Sequence, residues 1–308
     1  MFQKTIKIIL TAFLISTAAP GMARALEMPK TGGDLAEMLG VNAQSYIVTD
    51  AQTGQVLIEK NSDSAHIPAS LTKLVTALVV LDTNPKLSKT VTMSNVDQVA
   101  GGCNVGGACI KSKPGVSFTL DGLFHAMLMP SANNSASALA RSTGLSPVAF
   151  AERMNKKAAS LGALNTHFKE PTGMDPENST TAADYAKIVA AAFSNSYLRQ
   201  VASNNTYLLK SSNNAKYTQT IKNTDKLLGD ADMQILGAKT GYLNESKYNF
   251  ATLLTFRGGT ELAVVVLGED HLYSAFAETK TLASLAEAAQ QIAFVNTFSG
   301  SVLDAKTP

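Results

Sequence analysis

The apolar and polar positions change period twice along this chain. From Ser45, SYIVTD, AQTG and QVLIEKN read as two short strands around a Thr53-Gly54 turn. The period then lengthens. HIPASLTKLVTALVV opens on Pro68 and Ser70 and continues as an apolar helix to about Leu81, with Asn84-Pro85 as its stop. Residues 86–117 carry loops and short strands. A helical pattern covers about Thr119 to Gly144, interrupted near Met129-Pro130, and another covers Ser146 to Leu161, closed by Gly162. The turn-rich FKEPTGMDPENSTT follows, and Thr181 with Asp184 forms a capping pair for a helix to about Phe193. Strand patterns return in QILGAKTGY, NFATLLTF and ELAVVVLGE, with Gly258-Gly259 turning between the last two. A final apolar helix runs from about Thr281 to Val295.

Strands at both ends and helices between them predict an α+β fold. The expected form is an antiparallel sheet made from both chain ends, flanked by helices, with an inserted all-helical region. No linker marks off a second domain. The expected division of residues 26–308 is a sheet subdomain, about 36–90 and 195–296, and a helical subdomain, about 91–194.

Composition supports a globular chain: of 308 residues, 45% are hydrophobic and 16% charged. The first segment is set apart from the fold. Lys4 and Lys7 precede an apolar run from Ile8 to Ala18, Pro20-Gly21 breaks it, and Ala23-Arg24-Ala25 supplies small residues for cleavage. This is the pattern of a secretory signal peptide, residues 1–25, and the run is short for a membrane span of about 20 residues. Its removal takes away Lys4, Lys7 and Arg24 and no acid, so the formal charge passes from +2 to −1. No basic surface remains to argue for nucleic acid. Export also bears on Cys103 and Cys109 in GGCNVGGACIK. An oxidising compartment makes a short-range disulfide the expectation, with two free thiols as the alternative, and two cysteines without a nearby His make half a metal site at best.

The chemistry starts at Ser70 and Lys73, three residues apart and on one face of a helix. A serine hydroxyl needs a group to take its proton. His66, His125, His167 and His271 lie in no Ser-His-Asp pattern, and there is no G-x-S-x-G, H-E-x-x-H or Walker loop. If Ser70 is a nucleophile, Lys73 is its helper, and burial or a nearby cation must bring its pKa down from about 10.4. Backbone N–H groups at the helix start can stabilise an oxyanion. Alone, S-x-x-K also fits an N-capping serine and a solvated lysine. Downstream, MLMPSANNSASALA holds Ser131 and Asn133 between two apolar stretches, where they also read as helix punctuation. The same S-x-N spacing at Ser203, Ser211 and Ser212 falls in SNNTYLLKSSNNAKYT, read as solvated loop. QILGAKTGY holds Lys239-Thr240-Gly241. On a strand Lys239 and Gly241 share a face and Thr240 takes the other, unless a local twist re-aims it. Gly241 admits a close backbone approach, and Lys239 can hold an anion and lower the pKa of Lys73. Lys30-Thr31-Gly32 repeats the triplet without a strand pattern and is set aside.

S-x-x-K, S-x-N and K-T-G follow one another with about 60 and about 110 residues between them. In this order they resemble the penicillin-recognising serine enzymes. More narrowly, residues 36 to 295 resemble the low-molecular-weight penicillin-binding proteins, the serine D-alanyl-D-alanine carboxypeptidases, with DAQTGQVLIEKNSD, FKEPTGMDPENSTTAADYAKI and AKTGYLNESKYNFA as further support. The resemblance implies Ser70 as acylated nucleophile, Lys73 as its proton acceptor and Ser131 as proton relay. It implies Asn133 on the substrate amide, Lys239 and Thr240 on the terminal carboxylate of D-Ala-D-Ala, and the backbone N–H groups of Ser70 and Tyr242 as oxyanion hole. It implies no metal or organic cofactor, peptidoglycan peptides ending in D-Ala-D-Ala as substrate, and β-lactams as covalent inhibitors. Departures are Tyr242, where many relatives carry His or Thr, and Ala132 and Asn134 in the second motif. Many relatives add a β-rich domain and an amphipathic membrane helix. This chain ends soon after Val295, and residues 281 to 305 hold no Lys or Arg, so the expectation is a periplasmic or secreted enzyme without an anchor. DD-endopeptidase and transpeptidase activity share every motif. A serine β-lactamase needs a deacylating base; Glu170 in KEPTGMD resembles one, but the matching downstream Asn is absent. A non-catalytic binding module conflicts with five intact motif residues.

Overall fold

The structure, a computed structural model, describes residues 31–256 and 259–303. The expected signal segment, Lys30 and Gly258 lie outside these residues. Helix α1 (Gly32–Met38) starts at Thr31, whose hydroxyl accepts from Asp34 N–H while the Asp34 carboxylate accepts from Thr31 N–H. Thr31 and Gly32, part of the repeated triplet, therefore serve a helix start. Strands β1 (Ser45–Asp50) and β2 (Val56–Lys60) make the expected hairpin. A 3-10 turn, Ala69–Thr72, runs into α2 (Lys73–Leu81). Then come β3 (Thr90–Thr92), α3 (Asn95–Ala100) and β4 (Ser117–Thr119), with β3 paired to β4. The interrupted helical pattern is α4 (Leu120–Leu128) and α5 (Asn133–Ser142), followed by α6 (Pro147–Ser160). Helix α7 (Ala182–Ser194) is capped by Thr181, whose hydroxyl accepts from Asp184 N–H. After α8 (Ser196–Ala202), β5 (Thr206–Leu209) pairs with β6 (Gln219–Lys222). Strands β7 (Gln234–Leu243), β8 (Lys247–Thr255) and β9 (Glu261–Glu269) precede α9 (Leu272–Leu303).

The five-stranded antiparallel sheet has the order β2-β1-β9-β8-β7, so both chain ends build it. Its central strands are covered on both faces, which explains the unbroken apolar run ELAVVVLGE. Ala263, Val265 and Leu267 of β9 join the cluster shared with α2, α4, α5, α6 and α7, while Leu262, Val264 and Val266 join the cluster shared with α1 and α9. Strand β7 is an edge, and this edge borders the site.

The structure corrects the sequence reading in three places. The segment holding Ser203, Ser211 and Ser212 is not all solvated loop: it contains β5, whose Leu209 is buried against α4 and Ile221. Helices α3 and α8 are too short to show a period. Helix α9 starts at Leu272 rather than about Thr281, because Ala275, Phe276, Leu282 and Ala286 already form one buried face.

Candidate active site

Residues three apart eclipse on a 3-10 turn, and Lys73 Nζ donates to Ser70 Oγ at 2.7 Å. The backbone under Ser70 is gripped from several sides. Ala69 is held at φ 49°, a left-handed conformation that a non-glycine residue adopts only where its surroundings impose it. Tyr185 donates its hydroxyl to Leu71 O, and Asn249 Nδ2 donates to the carbonyls of Ile67 at 3.0 Å and Pro68 at 3.3 Å. Two glycines close in. A Cβ at Gly173 would lie 1.9 Å from Ala69 O, and one at Gly241 would lie 2.9 Å from Pro68 O and 3.3 Å from Ser70 N. The glycine of the K-T-G triplet thus lets the edge strand reach the nucleophile's own backbone.

Lys73 is fully buried, and its Nζ also donates to Thr172 O. Burial lowers its pKa to about 7, with the Glu170 carboxylate working in the opposite direction. Lys239, also buried, donates to Ser131 Oγ and to Thr240 O, each at 2.8 Å. Burial and the charge of Lys73 hold it well below its ordinary range. Desolvation, rather than Lys239, is therefore the cause of the low pKa of Lys73. Ser131 sits at φ 65° between α4 and α5, the second left-handed non-glycine residue at the site.

Asn133 opens α5. Its Nδ2 donates to Gly101 O at 3.0 Å and lies 3.0 Å from Met174 Sδ; its Oδ1 is buried and without a partner among the described residues. An orphan buried acceptor is costly unless a ligand donates to it. Ser70, Ser131, Asn133, Thr240 and Tyr242 all line one cleft of about 520 Å³. Thr240 pairs in register with Phe250, on the α9 face of the sheet, yet reaches the cleft from the sheet edge, where its hydroxyl meets Thr224 Oγ1 at 2.8 Å. Tyr242 is exposed at the cleft mouth, its ring tilted by 33° against Tyr248 with centroids 4.4 Å apart.

A nucleophile with a buried, lowered lysine, a second Ser-Lys contact opposite it, and an orphan amide oxygen between them can support acyl transfer. A match to the D-alanyl-D-alanine carboxypeptidase family spans residues 33–271. The chain belongs to that family. It is a serine-type D-Ala-D-Ala peptidase. Over 228 residues it is 36% identical to a D-alanyl-D-alanine carboxypeptidase of Mycobacterium tuberculosis, covering 73% of this chain and 74% of the relative. Over 284 residues it is 30% identical to a D-alanyl-D-alanine endopeptidase of Pseudomonas aeruginosa, covering 92% and 88%. A Streptomyces DD-transpeptidase structure aligns with a TM-score of 0.74 at 28% identity, over 80% of this chain and 98% of the other.

In this D-Ala-D-Ala peptidase a loop runs beside the cleft, and a Cys103–Cys109 disulfide closes it. The loop touches Asn133 at both ends: Gly101 O accepts from its Nδ2, and Ala108 O accepts from its backbone N–H at 2.6 Å. A Cys103→Ser/Cys109→Ser variant is expected to raise KM for D-Ala-D-Ala peptides several-fold with little change in kcat. Steady-state kinetics check this, and an unchanged KM would detach the disulfide from substrate binding.

Four contributors lie outside the three motifs. Thr224, in a polar stretch, carries no periodic signal. Asn249 lies in an apolar strand and stands out only as a buried amide. Glu170 and Gly173 were visible in KEPTGMD, but their partners were not. Among the described residues no histidine hydrogen-bonds Ser70 or Ser131, and no three His, Cys, Asp or Glu side chains form a metal cluster.

Proposed function

We propose that this chain is a serine D-alanyl-D-alanine carboxypeptidase that trims peptidoglycan stem peptides through an acyl-enzyme on Ser70. The observation that carries this is the 2.7 Å contact between Ser70 Oγ and the fully buried amine of Lys73. Neutral Lys73 takes the hydroxyl proton as Ser70 Oγ attacks the penultimate D-Ala carbonyl. The N–H groups of Ser70 and Tyr242 hold the oxyanion. The proton taken by Lys73 passes by way of Ser131, which is bonded to Lys239, to the departing D-Ala nitrogen; a water then attacks the ester, gives its proton to Lys73, and Ser70 Oγ leaves with that proton. Asn133 Oδ1 accepts from a substrate amide. The substrate's terminal carboxylate, bound by Lys239 and Thr240, favours the charged form of Lys239, reversing the effect of its burial. The Cys103–Cys109 bridge supports an oxidising compartment, periplasmic or extracellular.

A DD-endopeptidase reading has its own support in the 92% of the chain aligned with the Pseudomonas endopeptidase. A β-lactamase reading loses its base. The Glu170 oxygens already accept from Thr172, Gly173, Met174 and Asn178. Intact mass after mixing with benzylpenicillin tests the proposal: a lasting adduct on Ser70 is expected. An adduct that vanishes within seconds while penicillin is consumed would favour β-lactamase, and no adduct would sink the acyl-enzyme. D-Ala release from a pentapeptide, compared with cleavage of a cross-linked muropeptide, then separates carboxypeptidase from endopeptidase.

A further inference from the structure

We propose that Glu170 is a positioning residue of this reaction, a half-buried anchor for the turn on which Ser70, Lys73 and Asn133 all rest and a negative charge set beside Lys73. The inference rests on the Ser70 acyl-enzyme proposed above.

An ionised carboxylate is acceptor-only, with about four lone-pair sites. Those of Glu170 are filled from within its own turn. One oxygen accepts from Thr172 N and Thr172 Oγ1, each at 2.6 Å. The other accepts from Gly173 N at 2.6 Å, Met174 N at 2.9 Å, Asn178 Nδ2 at 3.0 Å and, more weakly, Asp175 N at 3.4 Å. Four consecutive backbone N–H groups, from Thr172 to Asp175, point at one side chain, so the course of residues 172–174 is set by Glu170.

Each of those three residues then touches a different part of the site. Thr172 O accepts from Lys73 Nζ. Gly173 lies against Ala69 O and Ser70 N, close enough that any side chain would collide. Met174 Sδ lies 3.0 Å from Asn133 Nδ2. Among the charged and titratable groups around Lys73, Glu170 comes from this turn, Lys239 from β7, and Tyr185 from α7 with its hydroxyl committed to Leu71 O. Glu170 alone among them favours the protonated amine, so it limits how far burial lowers the pKa of Lys73.

Glu170→Gln tests both halves, because an amide keeps the shape, loses the charge and presents an N–H₂ to donors that need an acceptor. The measurement is the second-order acylation rate with benzylpenicillin against pH, using the full chain. The plateau is expected to fall about tenfold to a hundredfold from misplacement of the turn. The acidic limb is expected to move to lower pH, because the charge that favours protonated Lys73 has gone. A turn that merely loosened and admitted water would move the limb to higher pH. An unchanged plateau, or a limb moved up, overturns the proposal. If Glu170→Gln does not fold, Thr172→Val removes one donor and keeps both the carboxylate and the Thr172 carbonyl. A smaller loss with an unmoved limb is then expected, and full activity overturns the inference. Failure of the wild-type protein to acylate would instead refute the acyl-enzyme itself.

Discussion

Replacing Lys73 by Ala is expected to stop acylation of Ser70 and leave the protein folded. A positioned general base contributes about 10²–10⁴-fold. With no histidine bonded to Ser70 among the described residues, the loss should reach about 10³-fold or more. In the wild type the rate should rise with pH and level off above about 7, where Lys73 is neutral. Stability should change little, because two effects oppose. Burial that moves Lys73 from 10.5 to about 7 opposes the charged form by roughly 5 kcal/mol, and Ala removes that cost. The cavity left by the lost methylenes costs about 2–4 kcal/mol. The sign of the pH dependence follows. The unfolded chain keeps the Lys73 proton up to about 10.4 and the native chain gives it up near 7, so wild-type stability gains between those values as pH rises. Lys73→Ala should flatten that rise. Intact mass with benzylpenicillin and melting curves from about pH 7 to 10 check both points; a variant that acylates at the wild-type rate refutes the role of Lys73.

Gly173→Ala should be nearly as damaging, for a different reason. Gly173 has φ +84°, where an added Cβ is strained by about 1 kcal/mol. The steric clash is worse than the strain. The Cβ would lie 1.9 Å from Ala69 O, which is backbone and cannot rotate away. Either the 170–175 turn or the Ser70 backbone must shift by over about 1 Å, enough to cost about a hundredfold in rate. The overpacking should cost about 1–3 kcal/mol more. Gly162→Ala is the control. It has φ +77°, but its nearest neighbour is Lys187 Cδ at 3.8 Å. It should lose about 1 kcal/mol from strain and keep full activity. Equal activity in the two variants would show that the close approach at Gly173 does not matter.

The sheet strands, the capped helices and the three motifs were legible because each is a local pattern. Short apolar runs between turn signals mark β7, β8 and β9, the Thr181–Asp184 cap marks α7, and Ser70, Ser131 and Lys239 stand in recognisable spacings. What was not legible is relational. Thr172 contributes a carbonyl, which any residue carries, and only the fold brings it to Lys73. Glu170 resembled a base in sequence and is an anchor in space, because its oxygens are used before any substrate arrives. The second cation, Lys239, was visible, but desolvation of Lys73 depends on what surrounds it in three dimensions. The 3-10 turn was likewise hidden, since ASLT continues without a break into a helical pattern.

The pairing of β1 with β9 also sets a clock. Ser45 lies opposite Leu267, so a strand made early waits for a partner more than two hundred residues later. At about 5–20 residues per second of synthesis, that wait is on the order of 10–45 s. Until β9 emerges, β1 has only β2 beside it, and a two-stranded ribbon is marginal in water. A chain still being made therefore cannot close its sheet. The serine and lysine of the cleft, near residue 70, meet the second lysine at 239 only after most of the chain has been made.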